Sequence, residues 1–120
     1  MVEAFMPSKL STHVLDLTTG QPAAGMTLQL WRRSAEGAVL LKTVRTNADG
    51  RTDAPLLRTE EMVTGSFEIV FLVKAYFSRH GVPAGFLDEV PVRFTIDDAD
   101  RSFHVPLLVT PWSYSTYRGS

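Results

Sequence analysis

Three histidines, His13, His80 and His104, are the side chains of this 120-residue chain best suited to moving protons near neutral pH. There is no cysteine, so thiolate nucleophiles, disulfides and thiolate metal sites are excluded. His13 lies in Ser11-Thr12-His13-Val14-Leu15 and His104 in Phe103-His104-Val105-Pro106, both strand-like segments. Residues i and i+2 of a strand share a face, so His104 points away from Phe103, Val105 and Leu107, which should be core. His13 keeps company with Ser11, Leu15 and Leu17, which does not decide its face. Two histidines on the faces that are not core could meet across a sheet surface or at a subunit interface and act as general acid or base. Taken alone, a histidine in a strand is more often a partly exposed packing residue than a catalyst. His80, beside Gly81 at a helix end, needs no chemical role, because a positive charge there suits the helix C-terminus.

Arg51 follows Asp49-Gly50 at a turn. It is either a solvated turn residue or a guanidinium held by a tight turn and aimed at a carbonyl or anion, a task that its fixed charge and fork of donors suit. The segment Ser113-Tyr114-Ser115-Thr116-Tyr117-Arg118-Gly119-Ser120 has strand-like composition to the last residue. It either frays as an edge strand or carries Arg118 to a defined place. GxxxxGK[ST], GxGxxG, HExxH and GxSxG are absent. Asp97-Asp98-Ala99-Asp100 lacks the glycine and the distant glutamate of a calcium loop. No HxH or HxxxH pair exists, so the residues give little support for a metal site.

The elements that must position these residues are short strands. Met26, Leu28 and Leu30 alternate with polar or larger neighbours, and Phe67, Ile69, Phe71 and Val73 share a face. Val90, Val92, Phe94 and Ile96 do the same, as do Phe103, Val105, Leu107 and Val109. Thr18-Thr19-Gly20-Gln21-Pro22, Asn47-Ala48-Asp49-Gly50, Asp97–Asp100 and Thr110-Pro111 supply turn chemistry between them. The pattern predicts strands near residues 10–17, 26–33, 38–46, 51–54, 66–73, 89–96, 101–109 and 113–118, the arrangement of an all-β sandwich or barrel. A short helix over Lys74–His80 should end at Gly81, and Thr59–Val63 could form one more helical turn.

At this length one domain, residues 1–120, is expected. Twelve basic and thirteen acidic residues leave a net charge of -1, which gives no electrostatic case for nucleic acid or an anionic membrane. No stretch approaches the ~20 apolar residues of a membrane span. MVEAFMPSKL does not read as a secretory signal, and Arg118-Gly119-Ser120 is not a peroxisomal address, so a cytoplasmic protein is the expectation.

Three segments, LSTHVLDLTTGQPAAG (10–25), TNADGRTD (46–53) and HVPLLVTPWSYSTYRGS (104–120), together resemble the 5-hydroxyisourate hydrolase family, in that family's order along the chain. The Tyr-Arg-Gly-Ser end is its most specific signature. The resemblance implies a transthyretin-like β-sandwich of two four-stranded sheets with one short helix. It implies a homotetramer, a dimer of dimers with clefts at the interface between dimers, and no metal or organic cofactor. The activity implied is hydrolysis of a purine-derived small molecule, 5-hydroxyisourate, to 2-oxo-4-hydroxy-4-carboxy-5-ureidoimidazoline in urate breakdown. Carried over position by position, His13, Arg51 and His104 match the family's catalytic residues, and Tyr117, Arg118, Gly119 and Ser120 its substrate-binding end. Phe103 stands where tyrosine is common, and Trp112-Ser113 replaces a common aromatic-Gly pair, neither at a catalytic position. Two other readings compete. A transthyretin-type carrier of a small hydrophobe lacks the two histidines, the turn arginine and the Tyr-Arg-Gly-Ser end. An adhesion sandwich gives no reason for His13, Arg51 and His104 to converge.

Overall fold

A computed structural model describes residues 7–83 and 85–119. Two four-stranded sheets form in it. The first has the order β2-β1-β7-β8, from β1 (Leu10–Asp16), β2 (Gln21–Pro22), β7 (Phe103–Val109) and β8 (Tyr114–Thr116). The second has the order β4-β3-β5-β6, from β3 (Thr27–Ser34), β4 (Gly37–Arg45), β5 (Gly65–Phe71) and β6 (Val90–Ile96). The pair β1–β7 is parallel and the other pairs are antiparallel.

The alternating apolar residues face one another between the sheets. Leu28, Leu30, Phe67, Ile69 and Phe71 from one sheet and Val14, Phe103, Val105, Leu107 and Val109 from the other are all buried. Each such side chain contributes roughly 1.5–3 kcal/mol by leaving water. β1 departs from the pattern because its inward face carries Thr12 and Asp16, both buried. Each is satisfied: Thr12 Oγ1 donates to Val105 O (2.7 Å), and the Asp16 carboxylate accepts from the Thr18 amide (2.9 Å) and the Tyr76 hydroxyl (2.9 Å). Burial, and then Asp16, push the Tyr76 hydroxyl pKa upward, so Tyr76 keeps its proton.

The helix α1 (Val73–Arg79) buries Val73, Tyr76 and Phe77, the i, i+3 and i+4 positions of one face. Its start and end each lie one residue before the expected bounds, and Gly81 follows. A single 3-10 turn occupies Thr59–Glu61.

Two expectations about strands are corrected. No strand forms over residues 51–54; that stretch is bends, and only an isolated bridge, Leu10 to Leu57, joins the following segment to β1. The reason is local: Asn47 and Asp53 tie the stretch to itself by a side-chain bond (3.0 Å), and Thr52 Oγ1 turns back to Ala54 O (2.5 Å). The eighth strand is instead Gln21–Pro22, which the Gly-Gln-Pro turn chemistry hid; it pairs with Leu15 and Asp16.

Candidate active site

The parallel register of β1 and β7 sets Ser11 beside His104 and His13 beside Pro106. Leu10, Thr12 and Val14 are buried while Ser11 and His13 are half-exposed, so both point to the outer face, as His104 does. Strands about 4.8 Å apart and two residues of rise put the α-carbons of His13 and His104 about 8 Å apart, room for a water or a small ring between their imidazoles.

Arg51 reaches this face by way of a tightly specified turn. Asn47 Oδ1 accepts from the amides of Asp49 (2.9 Å) and Arg51 (3.2 Å), and the Asn47 amide donates to Arg51 O (2.7 Å). The turn docks on β1 through the Val14 amide and Gly50 O (2.8 Å). Gly50 has φ +74, and a β-carbon there would lie 2.4 Å from Val14 O. Only glycine allows this approach.

The same docking fixes His13. Its Nε2 lies 2.9 Å from Asp49 O. A carbonyl only accepts, so Nε2 carries the hydrogen, and in the neutral ring Nδ1 holds the lone pair.

His104 is held on two sides. Its Nδ1 lies 2.8 Å from Ser11 Oγ. The Gly119 amide donates to His104 O (2.7 Å), bringing the end of the chain back against β7. Burial first, and then the positive charges of Arg51, His13 and Lys9, lower the pKa of His104. The ring therefore stays neutral and basic at neutral pH. Those charge effects also place Arg51 and His13 within electrostatic reach of it.

The remaining residues of the Tyr-Arg-Gly-Ser end divide. The Arg118 guanidinium stacks over Phe103, 4.5 Å from the ring centre, and donates to Ser102 O (3.4 Å). It borders an open groove of about 470 Å³, shared with Lys9, Ser11, Arg101 and His104. Tyr117 is exposed and lines a different groove, with Val92 and Phe94 of β6. Ser120 lies outside the described residues. β8 ends at Thr116 rather than 118, because Arg118 and Gly119 turn to Phe103 and His104. The structure thus gathers His13, Arg51, His104 and Gly119, sets Arg118 at the rim and leaves Tyr117 apart.

His80 is occupied structurally. Its Nδ1 donates to Tyr76 O (2.8 Å) and its ring packs on that of Tyr76. Among the described residues no group of three or more His, Asp or Glu side chains could hold a metal. Ser11 is the site residue that no local pattern singles out. Its place opposite His104 depends on the β1–β7 pairing, and no local signal reports that register.

The model of the HIUase/Transthyretin family matches residues 10–119. The 5-hydroxyisourate hydrolase 2 of Rhizobium meliloti (strain 1021) is 49% identical over 116 residues, covering 93% of this chain and 96% of that one. The solved structure of Klebsiella pneumoniae 5-hydroxyisourate hydrolase is 36% identical with a TM-score of 0.76, covering 94% of this chain and 99% of that one. Sea bream transthyretin in complex with thyroxine is 27% identical with a TM-score of 0.85, covering 95% of each chain.

Proposed function

The chain belongs to the HIUase/Transthyretin family, and we infer that it is the hydrolase that opens 5-hydroxyisourate to 2-oxo-4-hydroxy-4-carboxy-5-ureidoimidazoline. The transthyretin fold is common to enzyme and carrier, so the fold does not decide between them. The relatives do: the hydrolases share 49% and 36% of their residues with this chain, against 27% for the thyroxine-binding protein. The observation that supports the reading is the β1–β7 pairing, which sets His13 and His104 on one outer face, with the turn that carries Arg51 docked against β1 and His13.

The chemistry follows from the charges and tautomers. Hydrolysis adds water across a C–N bond of a cyclic amide. His104, neutral through burial and its cationic neighbours, takes a proton from the attacking water. The carbonyl oxygen becomes negative, and Arg51 supplies the opposing charge and donors. When the C–N bond breaks, the leaving nitrogen takes the proton back and the carbonyl carbon becomes a carboxylate. His13, with Nε2 anchored on Asp49 O, presents Nδ1 to orient the water. Gly119 closes on His104, and Arg118 at the rim of the groove is the residue of the Tyr-Arg-Gly-Ser end placed to hold the substrate, while Tyr117 lines a separate groove.

The working unit in this reading is residues 1–120 as one domain, assembled as a tetramer in the cytoplasm. Support for assembly comes from β6 and β8, which both stand at sheet edges, and from Trp112, Tyr114 and Tyr117, exposed around β8. The absence of cysteine suits a reducing compartment. Light scattering should return four times the mass of one chain, and a monomer would remove the assembly from the reading.

The test of activity is direct. 5-Hydroxyisourate, made fresh from urate with a urate oxidase, decays by itself with a change in ultraviolet absorbance. This protein should accelerate the decay, and Arg51→Ala should remove most of the acceleration. No acceleration at concentrations where the assembly has formed would end the hydrolase reading and favour a carrier.

A further inference from the structure

We propose that Ser11 is a positioning residue: its hydroxyl accepts a hydrogen bond from Nδ1–H of His104 and so makes Nε2 the basic nitrogen presented to the cleft. The inference rests on the reading of His104 as the base that activates water.

The geometry has three parts. Ser11 Oγ lies 2.8 Å from Nδ1, and β1 and β7 pair Ser11 directly with His104, so the contact is set by strand register rather than by a loop. Gly119 covers another edge: a β-carbon there would lie 2.7 Å from Cδ2 of the ring and 3.1 Å from its Cβ. Among the described residues Nε2 has no hydrogen-bond partner. The imidazole is therefore gripped at Nδ1 and along its Cδ2 edge, and Nε2 is what remains to meet water.

A neutral imidazole has one protonated nitrogen, and which one it is decides what the ring can do. If Nδ1 carries the hydrogen, Nε2 has a lone pair and can take a proton from water. If Nε2 carries it, the ring can only donate there. Nothing on His104 except its Nδ1 contact selects between the two, and a hydroxyl can serve either. The charges around the ring favour the first arrangement. Lys9 just before β1, Arg51 from the 47–51 turn, Arg101 before β7 and Arg118 all bring positive charge to this face, with Asp100 the acid bordering the same groove. A lone pair is the better end of the dipole to turn toward a cationic cleft, and the N–H is the better end to turn back to Ser11.

The experiment separates this from the hydrolase reading because it needs no substrate. The protein is labelled with ¹⁵N in its three histidines, and the imidazole ¹⁵N shifts of His104 are read at a pH where the ring is neutral, assigned by their loss in His104→Gln. The expected result is a protonated Nδ1 and a pyridine-like Nε2. In Ser11→Ala the two shifts should move toward each other as the tautomers mix, and Ser11→Thr, which keeps the hydroxyl, should restore the original pattern. A protonated Nε2 in the unaltered protein, or a pattern in Ser11→Ala identical to it, overturns the proposal. Kinetics supply the second arm. Turnover in Ser11→Ala should fall about tenfold, the size of one ordinary hydrogen bond lost from the transition state, with KM little changed and Ser11→Thr active. A fall in Ser11→Thr as large as in Ser11→Ala would mean that packing, and not the hydroxyl, is what Ser11 supplies.

Discussion

Gly119 and His104 are in contact through backbone and ring at once. The Gly119 amide donates to His104 O over 2.7 Å, and the place where a Gly119 side chain would begin is 2.7 Å from Cδ2 of the imidazole. Real β-carbons do not come so close, so the glycine of the Tyr-Arg-Gly-Ser end is required by the ring it covers. Gly119→Ala should push the chain end off His104 or tilt the imidazole. Either costs at least tenfold in kcat/KM, about the 1.4 kcal/mol of one good contact at the transition state. The residue lies beyond the last strand, so the melting temperature should hardly move. A fully active Gly119→Ala would mean that the end segment does not close on His104 during turnover.

The pH dependence has a defined sign. Burial, then Arg51, His13 and Lys9, set the folded pKa of His104 below the ordinary histidine value of about 6.5. The base therefore stays unprotonated into mildly acidic solution, and the acid limb of kcat/KM should lie below the ordinary value. Arg51→Ala removes the second of these causes, so the limb of its residual activity should move up toward neutrality. Linkage gives the stability sign. Between the folded and unfolded pKa values the unfolded chain binds the proton first, so His104 costs stability as pH falls through that window. In His104→Gln the loss of stability between about pH 6.5 and the folded pKa should be shallower than in the unaltered protein. Equal slopes would contradict the assignment.

Much of this was legible in the sequence, and the residues show why. Phe103, Val105, Leu107 and Val109 alternate cleanly, so the outward placement of His104 followed from period alone. β1 was harder, because its inward positions include Thr12 and Asp16. These are polar residues whose burial depends on partners, Val105 and Tyr76, that lie ~60 or more positions away along the chain. The face of His13 therefore stayed undecided until the sheet was assembled. Arg51 drew attention through its Asp-Gly turn, yet the stretch after it was expected to be a strand. Side-chain bonds from Asn47 and Thr52 win there over strand pairing. Ser11 had no signal at all, since its function lies in what the neighbouring strand brings beside it.

The 47–51 turn gives a sharp test at Gly50. With φ +74 and Val14 O at 2.4 Å from its missing β-carbon, this position combines backbone strain with a backbone clash. Gly50→Ala should destabilise the fold by about 1–3 kcal/mol, the usual cost of a non-glycine residue forced into such a conformation with its neighbours displaced. It should also lower activity in the molecules that remain folded, because Asp49 O, the anchor of His13, and the Arg51 backbone belong to the same turn. Urea denaturation and the hydroxyisourate assay on one preparation separate the two effects. A variant that loses stability and keeps full turnover would show that the turn does not hold His13 and Arg51 in place.

Tyr76 and Asp16 provide the opposite control, a buried polar contact that serves the fold and not the reaction. The Tyr76 hydroxyl donates to Asp16 Oδ2 over 2.9 Å at a buried position, tying α1 to the end of β1. Asp16 is 3% exposed, so a carboxylate oxygen that loses this donor has little water to turn to. Tyr76→Phe removes only the hydroxyl and leaves that oxygen short of a partner, which costs about 1–3 kcal/mol. The hydroxyl faces the inner side of β1, away from His13 and His104 on the outer side. Turnover at a temperature where Tyr76→Phe is still folded should therefore match the unaltered protein within about twofold, under half a kcal/mol of barrier. A large fall in kcat without a fall in stability would place the Asp16–Tyr76 pair in the catalytic apparatus and would require β1 to transmit its position to His13.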